Sequence, residues 1–252
     1  MNLNFSDEQQ MLRELIQKFC ESDYTFEKRE EIIKSGEGFN KDFWQQFSEL
    51  GWLSLPFKED SGGLGYGPVE LSILFEEFGK VLVVEPYLST VVLSGTILDN
   101  STFYRRIELI EGIIKGEKHL SLAYIEPNQN FDHSAPQTTA LSQGDEILVN
   151  GKKSLVLNGG RANHFIVVVT LDDETTLVLI DKDQTGVSLN QYPTVDGQTC
   201  AELIFENVSI SNDEIIAKGD EAKRLLNEAL NLATLCVSAE SIGCMTACYL
   251  QT

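Results

Sequence analysis

An α+β chain of several domains is what this sequence predicts: an N-terminal helical domain, a middle domain of antiparallel, β-barrel-like structure, and a long closing helix. Three observations carry that reading. Apolar residues recur at helical spacing up to residue 117, the texture changes to short apolar runs between polar turns from residue 118, and helical spacing returns near residue 219. The expected domains are 1–117, 118–218 and 219–252.

Helix signals begin at once. Ser6 followed by Gln9 is a capping-box pattern, and Met11, Leu12, Leu15, Ile16 and Phe19 then mark one apolar face, with Glu14, Gln17 and Lys18 on the other. A second helix over Lys41 to Leu50 is stopped by Gly51. The run that follows holds Pro56, Gly62, Gly63, Gly65, Gly67 and Pro68 and reads as an irregular loop. Phosphate-binding loops are also glycine-rich, but this one lacks a Lys-Ser/Thr ending and follows a helix rather than a strand. Leu71, Leu74, Phe75, Phe78 and Leu82 form the next helical stripe. Phe103, Ile107, Ile110 and Ile114 form another, ending at Gly116.

Nine runs then read as strands: His119 to Ile125, Thr138 to Leu141, Ile147 to Val149, Ser154 to Leu157, Phe165 to Val169, Thr176 to Ile180, Gly186 to Leu189, Ala201 to Phe205 and Val208 to Ile210. So many short strands at close spacing suggest an antiparallel barrel or sandwich. Ser154 to Leu157, Asn158-Gly159-Gly160 and Phe165 to Val169 read as strand, tight turn, strand, a hairpin. From Asp220 the apolar residues Leu225, Leu226, Ala229, Leu232, Ala233, Cys236 and Val237 leave little polar surface, so the last helix must be buried against others.

Composition narrows the function classes. The 19 Lys and Arg against 39 Asp and Glu give a formal charge of -20, which repels nucleic acid and anionic membrane surfaces. A small anionic cofactor is still compatible, since backbone donors at a local site can bind it. No stretch reads as a membrane span and the N-terminus does not read as a signal peptide, so a cytoplasmic protein is expected. Cys20, Cys200, Cys236, Cys244 and Cys248 lack C-x-x-C spacing and read as small buried hydrophobes; His119, His133 and His164 are scattered, and no metal site is expected.

Several short stretches, in order over nearly the whole chain, resemble the acyl-CoA dehydrogenase family. They are Phe5-Ser6-Asp7-Glu8-Gln9, Leu55-Pro56 with Ser61-Gly62-Gly63-Leu64-Gly65, Glu126-Pro127, Leu157-Asn158-Gly159-Gly160 with Ala162-Asn163, and Phe205-Glu206-Asn207-Val208. Phe57, Gly67-Pro68-Val69-Glu70, Val84-Glu85-Pro86-Tyr87-Leu88 and Tyr192-Pro193-Thr194 are similar to its small-subunit type, of the pimeloyl-CoA dehydrogenase kind. The resemblance implies FAD-dependent α,β-desaturation of an acyl-CoA thioester, in which a glutamate takes the α proton and the reduced flavin passes electrons to an electron-transferring flavoprotein. It also implies that residues 219–252 begin a C-terminal helical domain that is otherwise missing, and that the chain assembles as a homo-oligomer or with a large subunit.

Carried over residue by residue, the resemblance places the flavin at Leu122, Tyr124 and Ile125 and at Leu155, Val156 and Leu157, and the acyl-CoA at Phe131, Asp132, Leu230 and Ala233. Departures accompany it. Leu122 and Ile125 stand where the family presents a tyrosine and a threonine, Leu155 and Leu157 where it presents a tryptophan and a threonine, and Ala233 and Thr234 where some members carry the catalytic glutamate and an arginine. Hydroxyl contacts are lost, while backbone groups at Ile125, Val156 and Leu157 remain available in principle. No catalytic residue is assigned, Glu228 and Glu240 reading as solvated or capping groups. Three functions stand open: a desaturase subunit, a non-catalytic partner with a degenerate flavin site, and a ligand-binding module unrelated to flavin.

Overall fold

The computed structural model describes residues 4–127, 129, 135–144 and 146–251. Six α-helices form the first half: α1 (Asp7–Ser22), α2 (Phe26–Ser35), α3 (Lys41–Glu49), α4 (Pro68–Val81), α5 (Gly95–Asp99) and α6 (Arg106–Ile114). The capping box opens α1 as the sequence indicates, with Ser6 Oγ accepting from Gln9 N–H and Gln9 Oε1 accepting from Ser6 N–H. Their common core is aromatic. Phe19 meets Phe43, Phe47 and Trp52 edge-on at 5.3–5.5 Å, and Phe47 stacks on Phe78 at 5.2 Å. The glycine-rich loop is pinned by Asp99, whose carboxylate accepts from Lys58 N–H and from Ser61 Oγ.

Between α4 and α5 the chain makes a π-helical turn, Leu88–Ser94, for which the sequence shows no helical stripe. Thr90 Oγ1 in this turn donates to Leu120 O and so joins the helices to the sheet.

The sheet has eight strands: β1 (Leu120–Ala123), β2 (Thr139–Gln143), β3 (Glu146–Leu157), β4 (His164–Leu171), β5 (Glu174–Asp181), β6 (Val187–Pro193), β7 (Thr199–Ile210) and β8 (Ile215–Lys218). Its order is β6-β7-β3-β2-β4-β5-β8, with β1 beside β4. This corrects the barrel-like expectation, because the sheet is open and its end strands β6 and β8 do not pair. It is also mixed rather than antiparallel, since β1 and β2 both run parallel to β4. Strand spacing along a sequence cannot separate these topologies, because closure depends on which strands pair.

The hairpin expectation is corrected too. β3 pairs with β2 and β7 while β4 pairs with β1, β2 and β5, so the Asn158-Gly159-Gly160 turn carries the chain over β2 instead of joining neighbours. Two pairs of expected runs fuse into the long strands β3 and β7, and register shifts along their pairing hide the joins.

Two apolar clusters result. Val149, Val156, Phe165, Val167, Val178, Leu203 and Phe205 lie within the sheet's own core, while Leu122, Ile166, Val168, Leu177 and Leu179 join the helical core. β4 and β5 therefore have both faces covered, which is why they read as unbroken apolar runs.

α7 (Gly219–Leu250) closes the described chain and packs along α4. A Cβ on Gly79 would lie 2.1 Å from Glu240 O and one on Gly243 1.9 Å from Glu76 O, so the two helices touch backbone to backbone at that crossing. By length and composition α7 is apolar enough to cross a membrane, which corrects the expectation that no stretch is. One of its faces, including Leu225, Leu226, Ala229 and Cys236, is buried in the helical core.

Candidate functional site

The described residues assigned from the sequence fall on the end of β1 and the bulged end of β3, which adjoin, and on α7, which packs on α4, α5, the Leu88–Ser94 turn, β5 and β8. β1 leaves the sheet at Ala123, and the next residues hold to β3 through Ser154 N–H donating to Ile125 O at 2.9 Å. Ser121 Oγ on β1 donates to Leu157 O at 2.7 Å and ties the two strands one step further back. Register in β3 sets which side chains reach the site. Ile147, Val149 and Lys153 are buried at period two, but Leu155 takes a left-handed φ of 51° and adds one residue to the strand. Val156 then becomes the inward residue.

Leu122, Tyr124, Leu157, Leu230 and Ala233 each belong to, or pack against, the helical core cluster, which runs through the whole helical half from Ile16 to Ala239. The remaining described ones diverge. Val156 is buried on the sheet's own core, Ile125 is half-buried, and Leu155 is 39% exposed with the backbone at its position bonded to the Tyr192 side chain. Phe131 and Asp132 lie outside the described residues. The backbone carbonyls that sequence leaves available each already accept one hydrogen bond: Ile125 O from Ser154 N–H, Val156 O from Gly159 N–H, and Leu157 O from the Ser121 hydroxyl.

An ion pair under this backbone escapes sequence reasoning. Lys153 Nζ lies 2.5 Å from Glu126 Oε1, and the two side chains are 0% and 2% exposed. Gln137 N–H and Thr138 N–H also donate to the Glu126 carboxylate, at 2.6 and 2.9 Å. Burial pushes the Glu126 carboxyl up, and the Lys153 ammonium with the Thr138 donor overcomes that and holds it below the usual carboxylate range. Burial pulls the Lys153 ammonium down to about 8 against the attraction of Glu126. The available signal is parity, since Lys153 falls an even number of residues after the inward Ile147 and Val149.

On α7 neither of the matched positions, Ala233 and Thr234, is an acid or a base. Ala233 is buried, and the Thr234 hydroxyl donates to Leu230 O within its own helix at 2.8 Å. Glu228 is held by Arg224 at 2.7 Å on the exposed side. Glu240 is half-buried, and burial first, then the charge of Asp196, raises its carboxyl.

A second concavity, lined by Met11, Leu15, Leu50, Leu64, Tyr66 and Glu70 among others, opens on the outer face of the helices, with a volume of about 320 Å³. Its apolar walls are exposed, and its lining holds neither a histidine nor a cysteine.

Comparison with known proteins matches residues 6–117 to the acyl-CoA dehydrogenase N-terminal domain and residues 121–208 to the acyl-CoA dehydrogenase middle domain. Among curated relatives, the short-chain-specific acyl-CoA dehydrogenase of Clostridium acetobutylicum is 24% identical over 96% of this chain and 66% of its own length. The acryloyl-CoA reductase (NADH) of Anaerotignum propionicum is 27% identical over 96% of this chain and 64% of its own. The chain thus spans just under two thirds of the length of these relatives. The fold recurs in the ChsE4-ChsE5 complex of Mycobacterium tuberculosis, with a TM-score of 0.88 at 20% identity, covering 98% of this chain and 66% of that one. It recurs also in the butyryl-CoA dehydrogenase of Megasphaera elsdenii, with a TM-score of 0.86 at 23% identity, covering 98% and 68%.

Proposed function

The chain belongs to the acyl-CoA dehydrogenase family, and from that premise we propose that it is a non-catalytic subunit of a heteromeric acyl-CoA dehydrogenase, with a degenerate flavin site. The observation that carries this reading is on α7, where the positions at which some members carry the catalytic glutamate and an arginine hold the buried Ala233 and Thr234, whose hydroxyl is bonded within its own helix, so neither supplies a carboxylate base. The flavin-facing positions agree with it. FAD, the cofactor the family implies, finds little side-chain chemistry to hold it here: the side chains at Leu122, Ile125, Leu155 and Leu157 offer no polar atom, and three of the backbone carbonyl acceptors already take one hydrogen bond within the chain. FAD, the acyl-CoA thioester and the electron-transferring flavoprotein then belong to the catalytic partner, a large subunit of the same family. The same fold occurs in the ChsE4-ChsE5 complex, a pairing of two proteins of the kind such an assembly requires.

The pimeloyl-CoA likeness suggests a dicarboxylyl-CoA as the first substrate to try. Co-purification with the partner subunit, followed by flavin absorbance and acyl-CoA turnover on each protein alone and on the complex, tests the proposal. We expect colourless protein from this chain alone and activity only in the complex. Yellow protein that desaturates an acyl-CoA without a partner would return the chain to the catalytic desaturases.

A further inference from the structure

Where α3, the loop after α6, the residue before β1 and the turn before β4 meet, the chain forms a pocket of about 430 Å³. None of the described residues assigned to the flavin or the thioester lines it. Its wall is aromatic. The His119 ring touches both Phe39 and Trp44, at centroid distances of 4.9 and 5.0 Å, and all three residues line the pocket. Asn163 fixes His119 in place, since its side-chain oxygen accepts from His119 N–H at 2.8 Å and its own N–H donates to His119 O at 2.7 Å.

One buried donor in that wall has nothing to bond. Trp44 is 2% exposed, and its indole Nε1 has no hydrogen-bond partner among the described residues. A Cβ on Gly116 would lie 3.5 Å from Trp44 Nε1 and 3.7 Å from Gln45 Oε1, so the N–H edge of the indole faces the side where Gly116 supplies no side chain. Gly116 and Gln45 line the pocket together with Trp44. An indole N–H can only donate and is costly to bury unbonded, so the partner it lacks is an acceptor.

The charges around the pocket point the same way. Acidic residues outnumber basic ones 39 to 19 in the chain, yet the described lining sets Lys41 and Arg161 against one carboxylate, Glu117. Lys41, at the start of α3, is exposed and holds no ion pair among the described residues. Arg161 is anchored by Glu37, whose backbone carbonyl accepts from Nε at 2.9 Å and whose carboxylate pairs with one Nη, which leaves the other Nη for a ligand. Glu37 offsets part of that charge, so Lys41 is the stronger anchor. His119 adds no charge at neutral pH, because burial, helped by Arg161, pulls its imidazole down to about 4.

We propose that this pocket binds a small organic anion, a carboxylate or phosphate on a flat apolar body, with the charged group held by Lys41 and Arg161 and the body against the wall of Phe39, Trp44 and His119. Its volume falls in the range of small-ligand sites, and the lining has their usual make-up of apolar walls with a few polar groups that fix orientation. The planar guanidinium and the indole N–H both suit an acceptor with more than one oxygen. The acidic body of the chain repels extended polyanions, which limits the occupant to a small molecule. The site goes beyond the proposed function and does not depend on it.

Titration of the full chain with 2-naphthoate, followed by proton–nitrogen correlation spectra, tests the site. The chain has two tryptophans, and Trp52 lines the separate concavity of Met11 and Leu15, so its indole signal is an internal control. Loss of one signal in Trp44→Phe assigns the pair. We expect saturable binding with a Kd of about 1 mM or tighter, the affinity of a ligand of this size, and a shift of the Trp44 indole proton while that of Trp52 stays in place. 1-Naphthyl phosphate should compete, and the tighter of the two identifies the head group. 2-Naphthamide, which keeps the shape and removes the charge, should bind about tenfold more weakly, the scale of one charge-assisted hydrogen bond. Lys41→Glu should weaken 2-naphthoate by about as much without disturbing the fold, because Lys41 is exposed. Absence of saturable binding, equal binding of the amide, unchanged binding in Lys41→Glu, or a shift confined to Trp52 would overturn the site.

Discussion

A lysine with none of its side chain in water persists at Lys153 because Glu126 meets it and two backbone donors complete the carboxylate. Removing one partner is the damaging change. Lys153→Met should cost about 3–5 kcal/mol, since it strands a buried carboxylate without its cation. Glu126→Gln added to Lys153→Met removes the charge and should recover part of that loss. Recovery stays incomplete because a Gln oxygen cannot replace both carboxylate oxygens for Gln137 and Thr138. Urea midpoints of the two proteins check this, and a double variant less stable than the single one would be inconsistent with the pair as described. His119 sets an acid limit of a different kind. Burial, helped by Arg161, depresses its imidazole from 6.5 to about 4, so between those values the unfolded chain binds the extra proton. Stability should therefore fall by up to about 3 kcal/mol as pH drops across that window, and His119→Phe should remove this component from the pH–stability curve.

At the scale of elements, what could be read from sequence depended on whether neighbours or distant partners decide the outcome. The ends of α1 and α3 were legible because Ser6, Gln9 and Gly51 act locally. α2 and the π-helical turn at Leu88–Ser94 were not: α2 buries only Ile32, leaving almost no apolar stripe, and the turn buries all but its first residue, leaving no polar face. The strands were legible as runs, whereas their pairing was not, because β1 and β2 meet β4 only after long excursions of the chain. Within the candidate site, Leu155 was seen and its outward turn was not, since nothing local announces a leucine at positive φ. The α4–α7 crossing supplies a test at this scale. Gly243→Ala places a methyl group 1.9 Å from Glu76 O, where backbone cannot give way, so the helices must separate. We expect a loss of about 3 kcal/mol or more in thermal or urea unfolding, although alanine is the better helix former by about 1 kcal/mol. A neutral Gly243→Ala would mean that the helices do not approach this closely.

For the whole molecule, α7 decides how the chain behaves alone. Its inner face is spent on α4 and the sheet, yet Leu235, Ile242, Met245 and Tyr249 are 39%, 51%, 62% and 79% exposed. Their spacing of i, i+7, i+10 and i+14 puts them on one stripe, nearly opposite the buried Leu225, Ala229 and Cys236. A helix apolar on two opposite sides needs cover on both, and the rest of the described chain covers one. Exposed stripes of this size mark contact surfaces or aggregation sites. The formal charge of -20 opposes self-association without abolishing it, because screening shortens electrostatic repulsion to about 8 Å at physiological salt. The isolated chain should therefore self-associate, and more strongly as salt is raised. Ile242→Lys with Met245→Glu should make it monomeric in light scattering while leaving its unfolding midpoint close to wild type, since neither residue is buried. In the heteromeric assembly proposed above, the same two substitutions should abolish co-purification with the large subunit. An unmodified chain that is monomeric in high salt, or a doubly substituted one that still captures the large subunit, would show that this face of α7 is not where the partner binds.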